Sequence, residues 1–144
     1  MARRPEEASS VSSAQSRIAR LGGDPPSPFE QPIGFCRVVA AGPWVLIGGT
    51  TSVDPSGFVV GATPYEQTVA ILRKLLHELS RVGFTAADVV QTRIYVTDIS
   101  RAEEVGRAHG EVFRDAPPVA TMVEVTGLID PRMLVEIELA AFRG

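Results

Sequence analysis

Cysteine is almost missing from this chain: Cys36 is the only one, so no intrachain disulfide can form. Histidine is nearly as scarce, with only His77 and His109, and without a Cys/His cluster a structural zinc site is excluded. Long hydrophobic runs are lacking too. Apolar runs such as Trp44–Ile47 and Met133–Val135 are far too short for a helix that crosses a bilayer. Positive charge is not in excess either, since Lys+Arg 14 against Asp+Glu 17 leaves a formal net charge of -3. That balance does not build the basic field on which nucleic-acid affinity depends. Neither nucleic acid nor a membrane is expected as a partner.

A chain of 144 residues is normally one domain with room for a real core, and 44% hydrophobic with 22% charged residues is ordinary for a globular protein. Arg3, Arg4, Arg17 and Arg20 among several serines faintly resemble an organelle transit peptide. Glu6 and Glu7 argue against that, and no apolar segment suited to secretion accompanies them. The cytoplasm is the expected location.

Residues 1–12 are small and polar, which predicts disorder. Ile18 and Leu21 share a side of a short helix predicted over Ser13–Leu21, ended by Gly22-Gly23. Pro25, Pro26, Pro28 and Pro32 then predict an extended linker, so residues 1–32 read as a flexible extension and 33–144 as the domain. Beta-branched and aromatic residues predict strands over Ile33–Ala41 and Trp44–Thr50, joined at Gly42-Pro43, and Asp54-Pro55-Ser56-Gly57 is a turn signal.

The clearest helix start is Thr63-Pro64-Tyr65-Glu66, with a capping threonine, proline at the first helical position and glutamate in capping-box spacing. Val69, Leu72, Leu76 and Leu79 follow at helical intervals up to Gly83. Thr85 with Asp88 suggests one more capped turn before a strand over Val89–Thr97. A second helix is expected from Ser100, with Glu103 in capping-box spacing and Ala102, Val105, Ala108 and Val112 on one side, until Asp115-Ala116-Pro117-Pro118. Strands Val119–Thr126 and Met133–Phe142 complete the order β-β-α-β-α-β-β.

Two helices cannot cover both faces of such a sheet, so they should share one face in an α+β sandwich. In Val135-Glu136-Ile137-Glu138-Leu139 the alternation puts apolar residues on one face and carboxylates on the other. The uncovered face, part apolar and part charged, should find neighbours of its own kind, which predicts a homo-oligomer.

Several of these segments resemble the reactive intermediate deaminase family, also called Rid or YjgF. Ile33-Gly34-Phe35 with Val45-Leu46-Ile47-Gly48-Gly49 resembles its opening, and Asp88 through Asp98 its central strand. Pro118-Val119-Ala120-Thr121-Met122-Val123-Glu124-Val125 is similar to its signature, and Leu134-Val135-Glu136-Ile137-Glu138 to its last strand. The likeness runs in order from about Ile33 to Phe142. It implies a chorismate-mutase-like fold, a homotrimer with small-molecule sites between subunits, and hydrolysis of enamines and imines without metal or cofactor. An arginine would hold the substrate carboxylate, because its planar fork matches a carboxylate bidentately. A glutamate would handle the water, best with its pKa raised by partial burial.

This chain departs from that pattern. The arginine position falls on Ala120, the small residue beside it on Thr121 and a cysteine on Met122. A pocket tyrosine falls on Cys36, a serine on Gly48 and a helix asparagine on Gly106; only the glutamate is kept, as Glu136. Loss of the arginine without a substitute would cost roughly 2–4 kcal/mol of binding or transition-state stabilisation. Arg37 and Arg93 are the candidate substitutes, the alternative being that each pairs with a strand carboxylate such as Glu124 or Glu138 or lies on a solvated edge.

Glu136 is the candidate water-handling carboxylate, with Glu138 a salt-bridge partner; otherwise both simply meet solvent. Thr50 and Thr51 are candidate rim hydroxyls, and Gly48-Gly49 marks either a ligand approach or only a bulge. Cys36 reads better as a small buried hydrophobe than as a reactive thiol, and His109 as a satisfied structural histidine. His77 reads as a solvated helix residue, and Trp44 and Tyr95 as core or interface fillers. The leading reading is imine or enamine hydrolysis by Glu136 with Arg37 as anchor; the alternative is a non-catalytic relative that binds a small molecule or a protein.

Overall fold

The computed structural model describes residues 17–144. They form a six-stranded mixed sheet with its two long helices on one face. In chain order the elements are β1 (Ile18–Leu21), α1 (Glu30–Ile33), β2 (Val38–Ala41), β3 (Trp44–Thr50), α2 (Pro64–Arg81), β4 (Val89–Val96), α3 (Ala102–Phe113), β5 (Val119–Glu124) and β6 (Val135–Phe142). The sheet order is β1-β2-β3-β6-β4-β5, antiparallel except for β4 with β5.

Local chemistry fixes α2 as expected. The Thr63 hydroxyl accepts from the Glu66 amide at 3.1 Å, and the Glu66 carboxylate reaches back to the Ala62 amide at 2.7 Å. The core positions are shifted from the expected stripe. Ile71, Leu72, Leu75 and Leu79 are buried, whereas Val69 and Leu76 sit at the margin. Thr85 and Asp88 cap a single 3-10 turn before β4. Asp98, not Ser100, caps the entry to α3: its carboxylate accepts from the Ser100 amide at 3.0 Å across a 3-10 turn, and the helix starts at Ala102.

Three expectations fail at the start of the chain. Ile18–Leu21 is a strand that pairs antiparallel with β2, not the end of a helix; Ser13–Ser16 of that expected helix, and residues 1–12, lie outside the described residues. A helix that short has too few internal hydrogen bonds to stand alone, and an open sheet edge supplies four residues of pairing instead. The expected first strand also shrinks, to Val38–Ala41, because Glu30–Ile33 closes a helical turn ended by Gly34 at φ 84°. The proline-rich stretch is folded back, not extended. The buried Glu30 carboxylate accepts from the Gly23 amide at 2.9 Å, the Asp24 amide donates to Glu78 at 2.9 Å, and Arg81 donates to the Gly22 carbonyl at 2.8 Å.

Between sheet and helices lies the core, in which Val45, Ile47, Ile94, Val96, Val135, Ile137 and Leu139 meet α2 together with Val105 and Phe113 of α3. The alternation in β6 holds: Val135, Ile137 and Leu139 face this core, and Glu136 and Glu138 point the other way. Among the described residues nothing covers the opposite face of the sheet. It presents Ile18, Trp44 and Phe142 in one row, with Leu46, Val119 and Val123 elsewhere on the same face, each 40% exposed or more. Trp44 and Phe142 meet edge to face, with centroids 4.9 Å apart.

Candidate functional site

A cleft of about 1000 Å³ opens where the end of β3, the start of β6 and one side of α2 meet the folded-back segment and the loop after β3. Its helical wall is Ala70, Arg73, Lys74, His77 and Glu78, the i, i+3, i+4, i+7, i+8 side of α2 that the core does not use. The loop wall is held by Asp54, whose carboxylate accepts from the Ser56 and Phe58 amides at 2.9 Å each, with Gly57 at φ 89° completing the expected turn.

Glu136, Arg37 and Thr50 come together in this cleft. Glu136 is half-buried, and burial raises its carboxyl above the ordinary 4.5; Arg37 opposes the rise and Glu138 adds to it. Arg37 pairs with neither Glu124 nor Glu138. Its Nη1 donates to the Gly49 carbonyl at 2.5 Å and to the Thr50 hydroxyl at 3.2 Å. The pairing of β3 with β6 shifts register between Ile47 and Thr50, so Gly48-Gly49 does form a bulge. A Cβ at Gly49 would stand 2.5 Å from Glu136 Oε1, so glycine there leaves the carboxylate its place.

The other sequence candidates lie elsewhere. Cys36 is half-buried just outside the cleft, its Sγ 3.5 Å from the Val38 carbonyl oxygen, and Gly48 is exposed with its amide donating to Arg37. Arg93 and Glu138 are cross-strand partners on the uncovered face, where the Tyr95 hydroxyl donates to the Glu138 carboxylate. Ala120, Thr121 and Met122 sit on edge strand β5 beside Thr92, Arg93 and Ile94, and Met122 packs against the core. His109 is structural: its Nε2 is 2.8 Å from the Thr92 hydroxyl, and burial lowers its pKa. His77 is exposed and pairs with Asp24 at 3.1 Å.

Sequence reasoning missed several polar residues of the cleft, Lys74 and Ser52 among them. Lys74, the chain's only lysine, donates to the carbonyls of Thr51 at 2.6 Å and Val53 at 2.8 Å. Burial draws its ammonium down to about 8, with nearby Arg37 acting the same way and Glu78 and Asp54 opposing. Ser52 is 2% exposed, and its buried Oγ has no hydrogen-bond partner among the described residues. That the chain has a single lysine, on an amphipathic helix, was the available signal for Lys74; nothing local distinguished Ser52 from its neighbours.

The family profile described as endoribonuclease L-PSP matches residues 29–143. The chain belongs to that family, the one also called YjgF or Rid. The protein SCO2049 of Streptomyces coelicolor is 37% identical over 82% of this chain and 88% of its own length. A RutC family protein of Saccharolobus solfataricus is 32% identical over 77% of this chain and 89% of its own. The crystal structure of Rv2704 from Mycobacterium tuberculosis, a YjgF/YER057c/UK114 family member, superposes with TM-score 0.79 at 44% identity, covering 88% of this chain and 99% of that one. The fold is thus the chorismate-mutase-like α+β fold that the sequence resemblance implied. No helix among the described residues is long and apolar enough to cross a membrane.

Proposed function

We propose that the cleft hydrolyses the C=N bond of an imine, or of an enamine through its imine tautomer, with Glu136 handling the water and Arg37 anchoring the substrate carboxylate. The observation that carries this is the half-buried Glu136 carboxylate, its pKa raised by burial, in one cleft with an arginine that no carboxylate neutralises at contact distance among the described residues. Glu136 takes a proton from water as the water oxygen bonds to the imine carbon. The C=N electron pair moves to nitrogen, which takes that proton from the carboxyl group. The carbinolamine then returns its O–H proton to Glu136, which delivers it to nitrogen as the C–N bond breaks. The products are a carbonyl compound and ammonia, and Glu136 ends as it began.

Arg37 stands in this account where the family pattern has its arginine at the position of Ala120. Its Nη1 is committed to Gly49 and Thr50, which leaves Nε and Nη2 as the donors for a carboxylate. The uncovered sheet face supports a homotrimer, since a face with Trp44, Leu46 and Val119 exposed is suited to burial against further copies.

Freshly generated imines, formed in place by an amino-acid oxidase, test the reading through ammonia release. The protein is expected to accelerate release, and Arg37→Ala to raise the KM for carboxylate substrates. No acceleration across a broad panel would overturn hydrolysis. An unchanged KM would remove Arg37 from the site.

A further inference from the structure

The same cleft has two chemically different ends. One wall is polar and under-used. Lys74 spends two N–H donors on the Thr51 and Val53 carbonyls, and an ammonium carries three. Beside those carbonyls lies Ser52, whose hydroxyl is buried without a partner among the described residues. A buried hydroxyl left unpaired costs on the order of a hydrogen bond, and such groups in folded proteins call for an explanation. Arg37 adds a second positive charge close enough to depress the Lys74 ammonium. Two cations and an orphaned hydroxyl in one cleft are the donors an anionic oxygen would satisfy.

The rim is the opposite. Phe29 is 46% exposed, and Ile33 and Ile129 are 66% exposed each, all lining the opening of the same cleft. Large apolar side chains at such exposure, gathered round one opening, suit an apolar occupant.

We propose that this cleft binds carboxylates bearing a large apolar substituent, the carboxylate held by Arg37, Lys74 and the Ser52 hydroxyl and the substituent lying along Phe29, Ile33 and Ile129. Resting on the imine reading and narrowing it, the proposal makes the substrate class the 2-imino acids of large apolar amino acids. Lys74 is then a binding residue that fixes specificity through the carboxylate, and the rim fixes it through the side chain.

The test is a binding titration that needs no turnover, by calorimetry or ligand-observed NMR on the full chain. The probes are acetate, butyrate and hexanoate, with 1-hexanol as the neutral control. Each methylene that becomes buried on the rim should tighten binding about fourfold. Hexanoate should outbind 1-hexanol by about tenfold or more, as charge-assisted hydrogen bonds require. Lys74→Met should erase the preference for acid over alcohol and keep the dependence on chain length. Ile129→Asp, at an exposed position, should flatten the series and keep acetate binding. Should Lys74→Met not fold by circular dichroism, Ser52→Ala carries the same test of the polar end. A flat series in the wild-type protein, as when a second copy covers the rim, overturns the proposal, and so does an unchanged acid preference in both polar-end variants. Length-dependent binding without ammonia release removes hydrolysis and leaves this proposal standing, whereas ammonia release with a flat series does the reverse.

Discussion

Glu136 and Gly49 share one small volume: a Cβ on residue 49 would lie 2.5 Å from Oε1 and 3.1 Å from the carboxyl carbon of Glu136. The bulge at the end of β3 brings backbone here, and only a residue without a side chain lets the carboxylate stay beside it. Because the obstructing atoms are the far end of a flexible side chain, a methyl group at this place would move Glu136 and leave the fold intact.

Gly49→Ala therefore separates function from stability. Its unfolding midpoint should stay within a few degrees of wild type, while kcat/KM for imine hydrolysis falls about 100-fold or more, the scale of a displaced general base. Thermal unfolding beside steady-state kinetics checks it. A variant with full activity would show that the position of Glu136 does not matter.

Two titrations should bound the pH profile. Glu136 must be ionised to take a proton from water, and burial raises its pKa, so activity should rise with pH through a midpoint above 4.5. Lys74 must be charged to attract a carboxylate. Its ammonium titrates near 8, so carboxylate affinity is complete below that value and declines as pH rises through it. Lys74→Arg keeps the charge at all these values and should remove the alkaline decline in 1/KM. A decline that persists in the variant would assign it to another group.

Much of this fold was legible locally. Thr63-Pro64 with Glu66 fixed the start of α2, and the Val135–Leu139 alternation put Glu136 and Glu138 opposite the core, because caps and strand periodicity depend on near neighbours alone. β1 was not legible, since Ile18–Leu21 is a strand only through its pairing with Val38–Ala41. The candidate site divides the same way. Strand pattern and resemblance singled out Glu136, Arg37 and Thr50, which line one cleft. Lys74 and Ser52 join that cleft only because α2 lies beside the loop after β3, which no spacing in the sequence encodes.

Ser52→Ala should leave stability unchanged or raise it by up to about 1 kcal/mol, because it removes a buried hydroxyl that has no partner among the described residues. Chemical denaturation measures this. A loss of more than 1 kcal/mol would show that the hydroxyl already has a structural partner, such as a buried water.

The uncovered face predicts assembly. Trp44 and Leu46 are 44% and 48% exposed, and Trp44→Glu with Leu46→Lys should convert a trimer to monomers in sedimentation velocity. Because neither side chain belongs to the core, the monomer should keep its far-UV circular dichroism. A wild-type protein that sediments as a monomer at micromolar concentration would remove the trimer from this account.

The most direct measurement is the rate of ammonia release from a freshly formed imino acid with wild-type protein and with Glu136→Gln side by side. The amide keeps the size of the side chain and loses the proton acceptor. Acceleration over the buffer rate by the wild type and a return to the buffer rate in the variant is the predicted result. Equal rates in the two proteins would contradict the role given to Glu136.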